Sequence, residues 1–279
     1  MHNIRLIALD LDGTLLDSEK HLSKENAQAL ERAAESGIEI VPATGRFYRG
    51  MPQTIRELPY VHYVISINGA QVYDVTAQKT VCGSEIPLGR ALSVMERLDE
   101  LPVIYDCFQD GWGWMSKELY DQAEIYAANV HSLKMIRELR TPVDDLKEYL
   151  KQKSSDVQKI QMFFRDMDLR AEMLKSLPKE FPDLVVTTSI VNNIEINSRE
   201  ATKGNALKNL AIHLDIPLEN TMAFGDDLND ISLLETAGIG VAMGNADEKV
   251  KQAADYITDD CNNSGVAFAL NHFLLENRS

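Results

Sequence analysis

The chain has 279 residues, 44% hydrophobic and 25% charged, which excludes wholesale disorder. Its length is close to twice the ~150 residues of one domain, so two domains, or one domain with a large insertion, are expected. Asp and Glu outnumber Lys and Arg by 43 to 28, a net charge of −15, which argues against nucleic-acid or anionic-membrane partners, since phosphate backbones are held mainly by Lys and Arg.

Met1-His2-Asn3-Ile4-Arg5 leads straight into a short apolar strand over residues 4–9, so no secretory signal is expected. That strand ends in Asp10-Leu11-Asp12-Gly13, a turn signal. Ser23 is placed to cap a helix that carries Ala27, Leu30 and Ala34 on one stripe and stops at Gly37. Residues 38–43 read as a second buried strand closed by Thr44-Gly45-Arg46, and residues 61–67 as a third, followed by Asn68-Gly69. The texture then changes over 84–190. Residues 103–108 and 112–115 form a hairpin pair around Asp110-Gly111. Helices are expected over 117–130, 143–152 and 166–177, and strands over 157–164 and 184–188. From Ile194-Glu195-Ile196 the first rhythm returns, with helices over 202–214, 228–236 and 246–254 and strands over 221–224 and 239–243. The fold class is therefore α/β, a doubly wound, mostly parallel, Rossmann-like core over 1–83 and 191–279 with an inserted α+β domain over 84–190. No apolar run approaches the ~18 residues of a membrane span. Cys82, Cys107 and Cys261 are odd in number and far apart, so no disulfide framework is expected and a reducing cytoplasm is the expected compartment.

Asp10-Leu11-Asp12-Gly13-Thr14-Leu15 follows an apolar strand directly, where open α/β sheets bind ligands. If the chain stays extended, Asp10 and Asp12 face the same way and repel unless a cation or a shared proton compensates. An isolated Asp-Gly commonly does no more than end a strand; the full hexapeptide in this setting points to chemistry. Gly225-Asp226-Asp227-Leu228-Asn229-Asp230 also follows an apolar strand, and Asp226 and Asp230 share a face if a helix starts there. Acids favour helix N-termini for dipole reasons alone. Together with Asp10 and Asp12, however, they make a hard-oxygen set suited to Mg2+. Thr44, beside Gly45 and Arg46, offers a hydroxyl and backbone N–H groups to phosphate oxygens. Lys203 opens a helix whose N–H groups and ammonium suit an anion. Taken singly, Thr44 and Lys203 read as an ordinary strand end and a surface lysine.

Other signals are weaker. Gly238 to Gly244 approximates a dinucleotide loop, but its third glycine is one position late, and a tight turn explains it. Tyr105, Trp112 and Trp114 suit a packed hairpin face better than a substrate contact. The six histidines show no metal spacing.

In chain order, Asp10-x-Asp12-Gly13-Thr14, Thr44-Gly45-Arg46, Lys203-Gly204 and Gly225-Asp226-x-x-Asn229-Asp230 resemble the four motifs of the haloacid dehalogenase superfamily, end to end. The likeness is nearest to the Cof-type phosphatases, which carry a cap between the second and third motifs. Ser66-Ile67-Asn68-Gly69-Ala70, Ala242-Met243-Gly244-Asn245-Ala246 and Gly265-Val266-Ala267 resemble signatures of that subfamily. Thr202 and Ser264 depart from its usual residues, outside the chemistry. The resemblance implies that Asp10 attacks phosphorus to form an aspartyl-phosphate, and that Asp12 protonates the leaving oxygen and then deprotonates water. It implies Mg2+ held by Asp10, the backbone carbonyl of Asp12 and Asp226, with Asp230 orienting from behind. Thr44, Gly45, Lys203 and Asn229 would hold the other phosphate oxygens. The cap would close over the core, exclude water and read the leaving group.

The expected activity is Mg2+-dependent hydrolysis of a small phosphorylated metabolite, a sugar phosphate or a phosphorylated cofactor, with no nucleic-acid or membrane partner. A phosphomutase using the same intermediate and a non-catalytic binding protein are the alternatives. Isomeric products would mark the first, and loss of Asp10 or Asp226 would mark the second; both residues are present. Dehalogenation has no use for an acid at Asp12. Specificity is assigned to the inserted domain, and neither the substrate nor the oligomeric state is legible.

Overall fold

The computed structural model describes residues 3–274, so Met1 and His2, read above as leading into the first strand, lie outside them. The chain divides into one unit that runs to Gly83 and resumes at Ala201, and a second unit, Ser84–Glu200.

In the first unit five parallel strands are ordered Tyr256–Ile257, Ile239–Ala242, Thr221–Gly225, Leu6–Leu9, Glu39–Pro42. Leu6–Leu9 is buried at every position, and its period of two sends Ile7 and Leu9 into one cluster and Leu6 and Ala8 into another. Helices Lys24–Glu35 and Gly265–Leu274 complete the first cluster through Leu30 and Leu270. Helices Lys203–His213 and Ile231–Thr236 complete the second through Leu207, Leu210 and Leu234. A sheet covered on both faces is why its strands are continuous apolar runs. This is the expected doubly wound α/β core.

Ser23 caps Lys24–Glu35, its hydroxyl oxygen accepting from the Asn26 N–H, and Gly37 follows with φ 84°. The buried stripe is Asn26, Ala29, Leu30 and Ala33, one step off the expected Ala27 and Ala34. Asn26 turns inward because its amide is satisfied there, donating to Leu15 O and accepting from the Ala267 N–H. The expected third strand belongs to a separate antiparallel sheet, Tyr63–Ser66, Gln71–Asp74, Lys79–Gly83, joined to the parallel strands by a bridge from Ile65 to Ala43.

The second unit is α+β. Its six strands are ordered Leu184–Thr187, Asn193–Ser198, Lys159–Phe163, Ile104–Gln109, Trp112–Ser116, Arg140–Val143, and all but the last pair are antiparallel. Asp110 (φ 54°) and Gly111 (φ 72°) supply the left-handed pair that a two-residue hairpin requires. Helices Leu88–Leu98, Leu146–Lys153 and Met167–Glu180 pack on the sheet through Val94, Leu150 and Leu177.

Three expectations are corrected here. Ile194-Glu195-Ile196 does not open the returning core segment: Asn193–Ser198 lies between Leu184–Thr187 and Lys159–Phe163, so the chain rejoins the first unit at Ala201 and not at 191. An alternating strand reads alike whichever sheet it joins, and pairing alone decides. The helix expected over 117–130 is Lys117–Asp121 and Ala123–Tyr126, with a further helix, Val130–Leu139, capped by Asn129. The helix expected from 143 starts at Leu146, capped by Asp145, because Arg140–Val143 is an edge strand whose Pro142 hides it from a propensity reading.

Candidate active site

The segments that follow Leu6–Leu9, Glu39–Pro42 and Thr221–Gly225 carry Asp10, Thr44 and Asp226, and Lys203 opens the helix Lys203–His213. Asp10 is buried, and its N–H donates to Phe224 O (3.0 Å). The ammonium of the fully buried Lys203 donates to Asp10 Oδ1 and to Asp230 Oδ1, both at 2.6 Å. Asp230 Oδ2 accepts the N–H groups of Asp226 and Asp227, each at 3.0 Å, which closes a capping box on the turn Leu228–Asp230. Asp226 Oδ1 accepts the Thr14 hydroxyl at 2.7 Å. The Asn245 amide donates to Gly13 O (2.9 Å), while its Oδ1 accepts the Cys261 N–H (2.9 Å). Gly13, at φ 94°, has to be glycine twice over, since a Cβ there would lie 2.4 Å from Asp226 Oδ2.

Carboxylate oxygens of Asp10, Asp226 and Asp230 lie within 4.8 Å of one another. Burial pushes the Asp10 carboxyl up to about 7, with Lys203 opposing and Asp230 and Asp226 reinforcing the rise. Burial also lifts Asp226 to about 6 against the Thr14 hydrogen bond, and Asp230 and Asp227 add to it. On Lys203 burial disfavours the charge, but Asp10 and Asp230 outweigh it and hold the ammonium well above its ordinary value. Three carboxylates gathered on one ammonium leave surplus negative charge. A divalent cation with hard-oxygen preference is the natural complement to that surplus.

Asp12 does not converge with Asp10. Extended backbone ends at Leu9 and the chain turns at Leu11, and the Asp12 carboxylate is not among the three that lie within 4.8 Å of one another. Arg46 clamps it instead, Nε to Oδ2 at 2.8 Å and Nη2 to Oδ1 at 2.9 Å, and Lys20 adds a third contact at 3.0 Å. Burial pushes the Asp12 carboxyl up, but these two cations outweigh it and hold it below the ordinary range.

Thr44 is buried, and its Oγ1 accepts the Arg46 N–H (3.2 Å), which leaves the hydroxyl proton to point elsewhere. A Cβ at Gly45 would lie 2.9 Å from Asn68 Oδ1, so glycine makes room for that amide. The exposed Asn229 donates from Nδ2 to the same Asn68 Oδ1 at 3.0 Å. Asp10, Lys203, Asp226 and Asp230 are thus in direct contact or close approach, and Thr44, Gly45 and Asn229 gather around Asn68. Sequence reading assigned no role to Arg46, Lys20, Asn68, Thr14 or Asn245. All but Lys20 sit inside the quoted motifs, which was the available signal.

A sequence model of haloacid dehalogenase-like hydrolases matches residues 7–270. The chain is 35% identical to "Phosphatase YwpJ" of Bacillus subtilis, covering 97% of this chain and 100% of that protein. It is 34% identical to "5-amino-6-(5-phospho-D-ribitylamino)uracil phosphatase YcsE" of the same organism, covering 98% and 97%. Among solved structures, a haloacid dehalogenase-like hydrolase from B. subtilis superposes with a TM-score of 0.74 at 35% identity, over 97% of this chain and 100% of that one.

Proposed function

The chain belongs to the haloacid dehalogenase-like hydrolases, in their Cof-type phosphatase branch, and on that premise we propose that it is a Mg2+-dependent enzyme that hydrolyses a small phosphorylated metabolite through an aspartyl-phosphate on Asp10. The observation that carries this reading is the Asp10–Lys203–Asp230 chain of ion pairs beside Asp226. It holds one oxygen of a buried carboxylate at a strand end and leaves the group short of positive charge. Asp10 and Asp226 through their carboxylates, and Asp12 through its backbone carbonyl, would hold Mg2+, with Asp230 fixing the Asp226 backbone. When bound, the cation supplies charge stabilisation to the transferring phosphoryl group.

In the first step an Asp10 oxygen bonds to phosphorus as the bond to the leaving oxygen breaks, and Asp12 gives that oxygen a proton. In the second, Asp12 takes a proton from water, the water oxygen bonds to phosphorus, and Asp10 departs as carboxylate. The Lys203 ammonium, the Thr44 hydroxyl, the Gly45 N–H and the Asn229 amide hold the remaining phosphate oxygens. Arg46 and Lys20 favour ionised Asp12, the form that the second step uses. Alkyl esters, whose leaving oxygen needs the proton, are therefore the demanding substrates.

The relative named for 5-amino-6-(5-phospho-D-ribitylamino)uracil supports a small phosphorylated metabolite as the substrate class. We assign the choice among such substrates to the inserted unit, Ser84–Glu200. No helix among the described residues is long and apolar enough to cross a membrane, and the free thiols at Cys82, Cys107 and Cys261 support a reducing, cytoplasmic setting. A phosphate-release screen over phosphorylated metabolites tests the reading, with products analysed by chromatography. Wild-type protein should give phosphate and the free alcohol, and Asp10→Asn should give neither. Undiminished release by Asp10→Asn refutes the assignment, and isomeric phosphates would favour the mutase alternative.

A further inference from the structure

Ile67 (φ 53°), Asn68 (φ 56°) and Gly69 (φ 98°) form three consecutive residues in the left-handed region. Glycine adopts it freely and asparagine more readily than most, but a β-branched isoleucine there is an outlier that persists only where its surroundings impose it. The surroundings do so. The Ile67 N–H donates to Arg46 O (3.0 Å), the Asn68 N–H to Thr44 O (3.1 Å), and the Thr44 N–H to Ile65 O (2.9 Å). Gly69 abuts the residue that caps the Lys203 helix, since a Cβ on it would lie 2.2 Å from Thr202 O. One strained arch therefore touches the Thr44–Arg46 segment and the Lys203 helix, and through the Asn68 side chain it reaches Asn229.

We propose that Asn68 is a positioning residue of the phosphate site. Its Oδ1 accepts one N–H of the Asn229 amide and so fixes the orientation of that amide, which leaves the second N–H on the same nitrogen for a phosphate oxygen. The proposal rests on the reading of Asn229 as a phosphate-holding residue. Asn229 is exposed on a short turn, where an amide without a fixed acceptor would sample several rotamers and both flips. An amide already oriented loses less freedom when the anion arrives. The left-handed backbone at Asn68 and the missing side chain at Gly45 are what let the amide occupy this place.

Calorimetric titration with inorganic phosphate in the presence of Mg2+ tests this on wild-type protein, Asn68→Gly, Asn229→Ala and the double variant. Glycine at 68 keeps the left-handed backbone available while the side chain, β-carbon and amide together, is removed. Asn68→Gly should weaken phosphate binding by roughly 2- to 10-fold, the worth of one hydrogen bond, at full site stoichiometry. The double variant should bind no more weakly than Asn229→Ala alone, because the effect passes through Asn229. The proposal is overturned by wild-type affinity in Asn68→Gly, by losses that add in the double variant, or by fewer sites of unchanged affinity, which a purely structural role would produce. If Asn229→Ala itself binds phosphate normally, the phosphate-site reading fails and the positioning role fails with it.

Discussion

Asp226→Asn should stabilise the metal-free protein at neutral pH. Burial, with Asp230 and Asp227 close by, raises the Asp226 carboxyl from 3.8 to about 6. Keeping it ionised in the folded state therefore costs on the order of 1–3 kcal/mol, allowing for its partial contact with solvent. Asparagine keeps an oxygen for the Thr14 hydroxyl and carries no charge. The sign follows from the folded value lying above the unfolded one. Below pH ~4 the carboxyl is protonated in both states and the substitution changes little. From pH ~4 to ~6 the unfolded chain ionises while the folded one holds its proton, and above ~6 the full cost is present. At roughly 2–4 °C per kcal/mol for a unit of this size, Tm in chelator should rise by several degrees at pH 7.5 and by roughly a third as much at pH 4.5. Scanning calorimetry at the two pH values measures this. Saturating Mg2+ should then raise the wild-type Tm and leave the variant nearly unmoved. Lower stability of the variant at pH 7.5, or a gain of equal size at both pH values, would refute the burial argument. Equal Mg2+ stabilisation of both proteins would remove Asp226 from the metal set.

Chelation should abolish phosphate release and added Mg2+ should restore it; full turnover in excess chelator would sink the metal assignment. Arg46→Met leaves burial to act on Asp12 with Lys20 as the remaining opposing cation, so its carboxyl rises. Because the ionised form serves as base, the acid limb of kcat for an aryl phosphate should move to higher pH, and an unmoved limb would show that Asp12 is not that base. In the inserted unit, Trp112→Ala and Arg165→Ala should change relative kcat/KM across metabolites more than they change hydrolysis of a generic aryl phosphate. Loss of every activity in a folded variant would place an essential residue there.

The parallel core was legible because a strand buried on both faces is an apolar run, and Leu6–Leu9, Thr221–Gly225 and Ile239–Ala242 stop abruptly at polar turns. Asp10 and Asp226 could be read from where those runs end. Pairing was not legible: Asn193–Ser198 alternates as a strand of either unit would, and its antiparallel neighbours decide its place. The partner of Asp12 was hidden for a similar reason. Arg46 lies 34 residues away, and Lys20 sits at φ 68° in an irregular loop that no periodicity describes. Asn68 and Asn229 meet across 161 residues, and the strain at Ile67 is a property of the folded arch, invisible in an Ile-Asn-Gly that reads as a plain turn.

Rapid-quench kinetics on Asp12→Asn, with an aryl and an alkyl phosphate and with Mg2+ binding shown intact, reach the proposed chemistry most directly. An aryl leaving group needs little protonation, so Asp10 should still be phosphorylated. The water attack lacks its base, an omission that typically costs ~10²–10⁴-fold. The variant should release about one equivalent of phenol per site, in line with a single nucleophile, and stall with phosphate on Asp10, found by peptide mass spectrometry. The alkyl ester should give no burst. Phenol released without phosphate on Asp10 would contradict the covalent mechanism. Equal slowing of the first transfer for both esters would mean that Asp12 serves the geometry of the site and not proton transfer.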